Sequence, residues 1–225
     1  MLKITSLMVA LLVLSLPVAA NIDFIKNNRL QDKNVEAVKI VYTGPIEENE
    51  IKDFLASLDE ANNNYPNAKH IYLYINSYGG QIDAGYMAYQ AIRSSRIPVT
   101  AINAANVISA ASVMFCGATK RAAVPHAAFL LHPSSRILEG QYRPDELKRE
   151  AEYLDQGNAI LKLVYRTCTS LSDEELTDIL HSEANSAFIS VPEATTKGII
   201  TDTLDLQPDT QVSFYVTRNA CVQND

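Results

Sequence analysis

Residues 70–85 read HIYLYINSYGGQIDAG. His70–Ile75 is a short β-rich run with no break, the pattern of a buried strand. Asn76–Gln81 is a turn holding two adjacent glycines, and a helix pattern follows from Asp83 to Arg93. A Gly-Gly pair between a buried strand and a helix admits positive φ and close backbone approach. Such a turn can aim backbone N–H groups at an oxyanion. Taken alone, it is equally the mark of a tight strand-to-helix turn with no ligand.

Outward from that turn, Glu36–Tyr42 reads as a strand closed by Gly44-Pro45. In Glu48–Ala61, apolar Ile51, Phe54, Leu55 and Leu58 recur at helical spacing. Asn62–Pro66 is a turn cluster, Ile97–Asn103 a strand, and Ala127–Leu131 a buried strand stopped by His132-Pro133. Ala104–Gly117 is small and apolar, with no charge. Pro144–Thr167 is a long amphipathic helix. A helix over Ser172–His181 opens with a Ser172/Glu175 capping box. A short helix, Pro192–Lys197, stops at Gly198. Strands alternating with helices predict an α/β fold in one domain.

The chain has 225 residues, 47% hydrophobic and 20% charged, with a formal net charge of −7. This excludes collagenous, largely disordered and multi-span membrane classes. No basic stripe offers nucleic acid a surface. There is no G-x-x-x-x-G-K-[ST] motif, so no nucleotide motor is expected within the chain.

At the N-terminus, Lys3 precedes the apolar run Leu7–Leu16, Pro17 ends it, and Val18-Ala19-Ala20 offers small residues before Asn21. This is the layout of a secretory signal peptide over residues 1–20, with a mature domain over 21–225 exported to the periplasm or secreted. The apolar run is too short to span a bilayer comfortably. The three cysteines are too few and scattered for a disulfide scaffold or a metal cluster. In an oxidising compartment Cys168 and Cys221 could pair, while Cys116, inside the apolar run Val113–Cys116, reads as a small buried residue. No cofactor or metal is expected.

Ser109 lies in the uncharged stretch after strand Ile97–Asn103. A hydroxyl needs an adjacent base to become a nucleophile. His132 is the best placed of the four histidines, because it ends its own strand, and strand ends converge in α/β crevices. His126 follows Pro125 in a loop, and His70 and His181 read as surface or strand-edge residues.

These pieces in order resemble the Clp protease proteolytic subunit (ClpP) family. Tyr72–Gly85 is similar to its strand and glycine turn, and Ile108–Gly117 (ISAASVMFCG) to its nucleophile segment. Lys120-Arg121, Pro125 and Ala127–His132 resemble the lead into its histidine. Pro144–Thr167 resembles its protruding handle, and Phe188–Ile200 (FISVPEATTKGII) completes the likeness, which spans Val38–Asp202. The resemblance implies a ClpP/crotonase-like spiral of ββα units with a handle helix. It implies Ser109 as nucleophile and His132 as general base. Gly80 and Ala110 N–H groups would line the oxyanion hole beside Gly79, with Ile82 holding the substrate strand. It also implies peptide or unfolded-protein substrates and a homo-oligomer of heptameric rings, with Leu147, Ala151, Leu154 and Leu161 of the handle facing partner or core.

Three departures stand out. The Ser109–Gly117 spacing is one residue shorter than the family's, which makes Ser112 a second nucleophile candidate. Where the family places an Asp before its Phe-x-Ser stretch, this chain has Asn185, Ser186 and Ala187. The third triad position therefore falls to Asn185, to Ser186, or to a borrowed carboxylate such as Glu183. Tyr78 replaces the turn's usual Pro. Two function classes follow: an exported serine endopeptidase working without an ATPase partner, or a catalytically weak or inactive ClpP-like assembly or binding module. A crotonase-type acyl-CoA enzyme is disfavoured, because acyl-CoA is cytosolic and no acidic base is evident.

Overall fold

The computed structural model describes residues 20–26, 31–202 and 208–218. The expected signal peptide, apart from Ala20, and Cys221 lie outside them. The strands are β1 (Ala20–Lys26), β2 (Ala37–Thr43), β3 (His70–Ser77), β4 (Val99–Ile108), β5 (Lys120–Ala123), β6 (Ala128–Leu131), β7 (Ala187–Ser190) and β8 (Val212–Arg218). The helices are α1 (Glu48–Asn64), α2 (Ile82–Ser94), α3 (Ala110–Phe115), α4 (Pro144–Cys168), α5 (Asp173–Ile179) and α6 (Val191–Thr196). The strands form one sheet in the order β1-β8-β2-β3-β4-β6-β7, with β5 also paired to β4. Its interior pairings are parallel, and the two end strands, β1 and β7, are antiparallel to their neighbours. Interior strands covered by crossover helices must be apolar, which is why His70–Ile75 has no break: Ile71, Leu73 and Ile75 are fully buried at its centre.

β4 is longer than its sequence suggests, and it changes partner midway. Thr100–Asn103 pairs with β5 and Asn106–Ile108 with β6, while the register against β3 shifts between Ile75 and Ser77. Buried Asn103 makes the branch possible. Its Nδ2 donates to the Ala128 carbonyl (2.8 Å) and its Oδ1 accepts from the Ala105 N–H (3.1 Å). Backbone groups orphaned by the bend are thus paired rather than left bare. The small apolar stretch Ala104–Gly117 divides into the end of this strand and the short helix α3.

α4 splits along its length. Leu161, Val164, Tyr165 and Cys168 are buried, whereas Leu147 and Tyr153 stand about half exposed. Of the four handle residues proposed to face a partner, Leu161 therefore belongs to the core. The Ser172/Glu175 capping box forms as read, with Glu175 N–H donating to Ser172 Oγ and Ser172 N–H to Glu175 Oε2.

One feature under α4 runs against the sequence reading. Cys116 is not a free buried thiol, and Cys168 does not await Cys221. The two form a disulfide, with Cα atoms 5.5 Å apart across 52 residues of chain. The spacing hid it, because only the α3–α4 packing brings the two cysteines together. Beside it, buried Arg121 donates to the carbonyls of Ala118, Cys168, Gly198 and Ile199 at 2.8–3.1 Å. Burial pushes its pKa down. Four carbonyls nonetheless satisfy the fork, one of them at the C-terminal end of α4, where the helix dipole favours a cation.

A cross-link closing a loop of this length typically contributes about 2–4 kcal/mol. The Cys116→Ala/Cys168→Ala double variant should lose that much unfolding free energy in urea titrations, and dithiothreitol should destabilise the parent chain but leave the variant unmoved.

Candidate active site

The glycine turn lies between two backbones. Gly79 has φ +94°, and a Cβ there would sit 2.6 Å from Ser109 Cβ and 2.7 Å from the Ile108 carbonyl. A Cβ on Gly80 would sit 2.3 Å from the Ile46 carbonyl. Ile46 holds the turn from the other side: its N–H donates to Gly79 O (2.8 Å), and its carbonyl accepts from Gln81 N–H (2.7 Å). Gly79 N–H in turn donates to the buried Ser77 Oγ (3.1 Å). Among the described residues, this arrangement leaves the Gly80 N–H without an acceptor in the chain.

Ser109 follows β4 directly and precedes the first residue of α3 with φ 58°, ψ −130°. Positive φ is costly for a side chain with a Cβ and persists only where the surroundings impose it. Here the Ser109 N–H is fixed to the Leu130 carbonyl (3.0 Å) and Gly79 packs against its Cβ. Its hydroxyl does not cap the helix. Ala110 N–H, at the first helical position, has no intrahelical acceptor. The Ser109 side chain borders a cavity of about 480 Å³ walled by Gly80, Ile82, Ser134, Leu154, Gly157 and Leu161.

Ser112 is elsewhere. It is 3% exposed, donates to the Ser109 carbonyl (2.5 Å) and shares a 2.8 Å hydrogen bond with Tyr165 OH. Burial raises the Tyr165 phenol to about 12, so it is a neutral partner. Ser112 thus ties α3 to α4 from inside the core.

β4 and β6 run parallel with Ile108 opposite Leu130, so Ser109 and His132 leave neighbouring strands at the same edge of the sheet. His132 borders an adjoining cavity of about 540 Å³ that shares Pro133–Ser135 with the first. No hydrogen bond joins Ser109 to His132 in this state; such bonds are often long or poorly aligned before substrate binds. His132 Nδ1 lies 3.3 Å from Glu183 Oε2, within ion-pair reach. The pair is not aligned as a full hydrogen bond, and among the described residues Nδ1 has no other partner.

Of the three candidates for that position, Glu183 is the one facing the imidazole. Asn185 is committed elsewhere, its Nδ2 donating to the Asp178 carbonyl and to Asp178 Oδ1 (3.1 and 2.9 Å). Ser186 Oγ is buried without a partner among the described residues and is not bonded to His132. Two positioning residues had no sequence signal: Ile46, whose role is purely backbone, and Asn103, one polar residue in an apolar strand. His126 has φ 65° in an exposed turn and borders a separate surface depression, away from Ser109.

The Clp protease family model matches residues 26–206. An ATP-dependent Clp protease proteolytic subunit of Physcomitrium patens is 29% identical over 180 residues, covering 77% of this chain and 84% of the relative. The subunit of Deinococcus radiodurans is 28% identical over 170 residues, 74% and 80% of the two chains. In fold, the chain is similar to a ClpP1 mutant from Listeria monocytogenes, with a TM-score of 0.61 at 20% identity over 75% of this chain and 92% of that one.

The contact geometry at the turn yields a paired stability test. Gly79→Ala combines positive φ with a clash against Ser109 and should cost about 2–3 kcal/mol. Gly140→Ala has φ +104° but open space around it, and should cost only the backbone term of about 1 kcal/mol. Chemical denaturation of the two variants side by side measures the difference.

Proposed function

The chain belongs to the Clp protease family, a family of peptidases, and on that footing we propose that it is a serine endopeptidase acting through an acyl-enzyme on Ser109. The observation that carries the reading is Ser109 itself. It is held at positive φ with an uncommitted hydroxyl, beside two backbone N–H groups, of Gly80 and Ala110, that have no acceptor among the described residues.

In this mechanism His132 accepts the Ser109 proton as Oγ attacks a peptide carbonyl. Glu183 faces Nδ1, so Nε2 is the nitrogen left for Ser109. The carbonyl oxygen becomes an oxyanion stabilised by the Gly80 and Ala110 N–H groups. His132 then protonates the leaving amine, and a water deprotonated by the same imidazole releases the acyl group and restores Ser109. Ile82, on the cavity wall, supports the substrate strand. Substrates are peptides or already unfolded polypeptides, and the working form is a homo-oligomer, by family a ring, with the exposed half of α4 at the contact.

We further propose that the protein is exported, to the periplasm or beyond, and works without an ATPase. The N-terminal pattern supports this, and so does the buried Cys116–Cys168 disulfide, since such bonds persist in oxidising compartments. Among the described residues no helix is long and apolar enough to cross a membrane. The competing reading, an inactive assembly module, draws on the missing Asp and on the imperfect alignment of His132 with both Ser109 and Glu183.

A fluorophosphonate probe separates the two. Stoichiometric labelling of the folded protein, lost in Ser109→Ala and kept in Ser112→Ala, supports the peptidase; no labelling supports the inactive module. In an active enzyme, Glu183→Gln should lower kcat by about 10- to 100-fold with little change in KM. That is less than the ~10⁴ seen for a buried triad carboxylate, because Glu183 is largely exposed.

A further inference from the structure

Strand β8 lies beyond the stretch that matches the family, which ends at residue 206. It adds to the sheet alongside β2, with Val38 opposite Val212 and Thr43 opposite Thr217, and its last residue is Arg218. Arg218 reaches across to the start of α1. Its Nε donates to Glu50 Oε1 (2.6 Å), and its terminal nitrogen pairs with Glu47. Glu50 is 2% exposed, and Arg218 is the one cation paired with it among the described residues.

Glu47 immediately follows Ile46, the residue that brackets the glycine turn. It also borders the Ser109 cavity. The segment is pinned at a further point, where Tyr42 OH donates to the Pro45 carbonyl (2.5 Å). Gly44, at φ +142°, turns beside Arg218, where a Cβ would meet the Arg218 backbone at ordinary van der Waals distance. The chain of contacts is short: Arg218 to Glu47, Glu47 to Ile46 through the backbone, and Ile46 to Gly79 and Gln81, which flank Gly80. Each link is a hydrogen bond, an ion pair or one peptide unit.

We infer that Arg218 is a positioning residue for the oxyanion site, holding the Pro45–Glu47 segment so that Ile46 aims the Gly80 N–H into the cavity. The inference rests on the peptidase reading of Ser109 and Gly80. An N–H donor contributes to an oxyanion site only if it is fixed before charge develops, so small rotations of the turn weaken the transition state more than the ground state. A clamp of this kind acts on kcat. A guanidinium serves better than an ammonium here, because it meets two carboxylates at once through a planar fork.

The test compares the full chain with Arg218→Met and Arg218→Lys, using peptide hydrolysis, thermal melts and inhibition by a peptide boronate, which forms a tetrahedral adduct with a serine nucleophile. Arg218→Met should lower kcat about tenfold, leave KM within twofold, and weaken the boronate about tenfold. Arg218→Lys should fall between it and the parent chain. If the Met variant does not fold, Arg218→Lys carries the same comparison. Unchanged kcat and boronate affinity per folded molecule, with only a lower melting temperature, would reduce Arg218 to a structural clasp and overturn the inference. A parent chain that neither cleaves peptides nor binds the boronate would overturn the peptidase reading first, and this inference with it.

Discussion

Two adjacent positions, Gly79 and Gly80, have no space for a single methyl group, and the geometry of the candidate site is built around them. At Gly79 the backbone lies against Ser109, and at Gly80 against the Ile46 carbonyl. Close approach on both sides turns a flexible dipeptide into a rigid one. Free rotation is the usual cost of glycine, but it is removed here by the Ile46 bond to Gly79, the Gly79 bond to Ser77 Oγ and the Gln81 bond to Ile46. What remains is a backbone N–H with no acceptor among the described residues, next to a serine whose own backbone is held in an unfavourable region. Both would relax if the neighbouring strands moved apart.

Holding Ser109 in place is therefore a problem of support. α3 has six residues, too few to be stable on its own. It is tied to α4 at its middle by the Ser112–Tyr165 hydrogen bond and at its end by the Cys116–Cys168 disulfide. Arg121, bonded to the Cys168 carbonyl, fixes the same end of α4 to β5 and to Gly198–Ile199. The positive φ at Ser109 is sustained by a platform that is covalently and polarly cross-braced beneath it.

Much of this was legible in the residues, and the illegible parts have a common cause. Periodicity placed α1, α2, α4 and the buried run of β3, because each spans enough residues for a pattern to repeat. Gly79-Gly80 and His132 stand out because scarce residue types sit at strand ends, and Ser109 because it follows a strand in an uncharged stretch. β5 and β7 have four residues each, too few to show alternation, and β8 follows the last segment with a recognisable pattern. The disulfide and the Ile46 bracket depend on elements distant in sequence meeting in space. The sequence offers Cys221 as the partner of Cys168, and only the packing of α3 on α4 chooses Cys116.

The carboxylate beside His132 shows how a departure from a family pattern can be met locally. The chain has no Asp directly ahead of Phe188, and its nearest polar side chains are spent or turned away: Asn185 on Asp178, Ser186 in a buried site of its own. The short helical turn Glu183–Asn185 lifts an earlier residue toward the imidazole, and the longer glutamate side chain covers the remaining gap. The exchange has a physical consequence. A carboxylate 70% exposed is solvated whether or not the imidazole is charged, so water screens much of its attraction for an imidazolium. On the proposed peptidase reading, less help at the base leaves more of the transition-state stabilisation to the oxyanion side. That is the side the chain reinforces, with a bracket at Ile46 and, beyond the family stretch, a strand whose final arginine grips the segment carrying it.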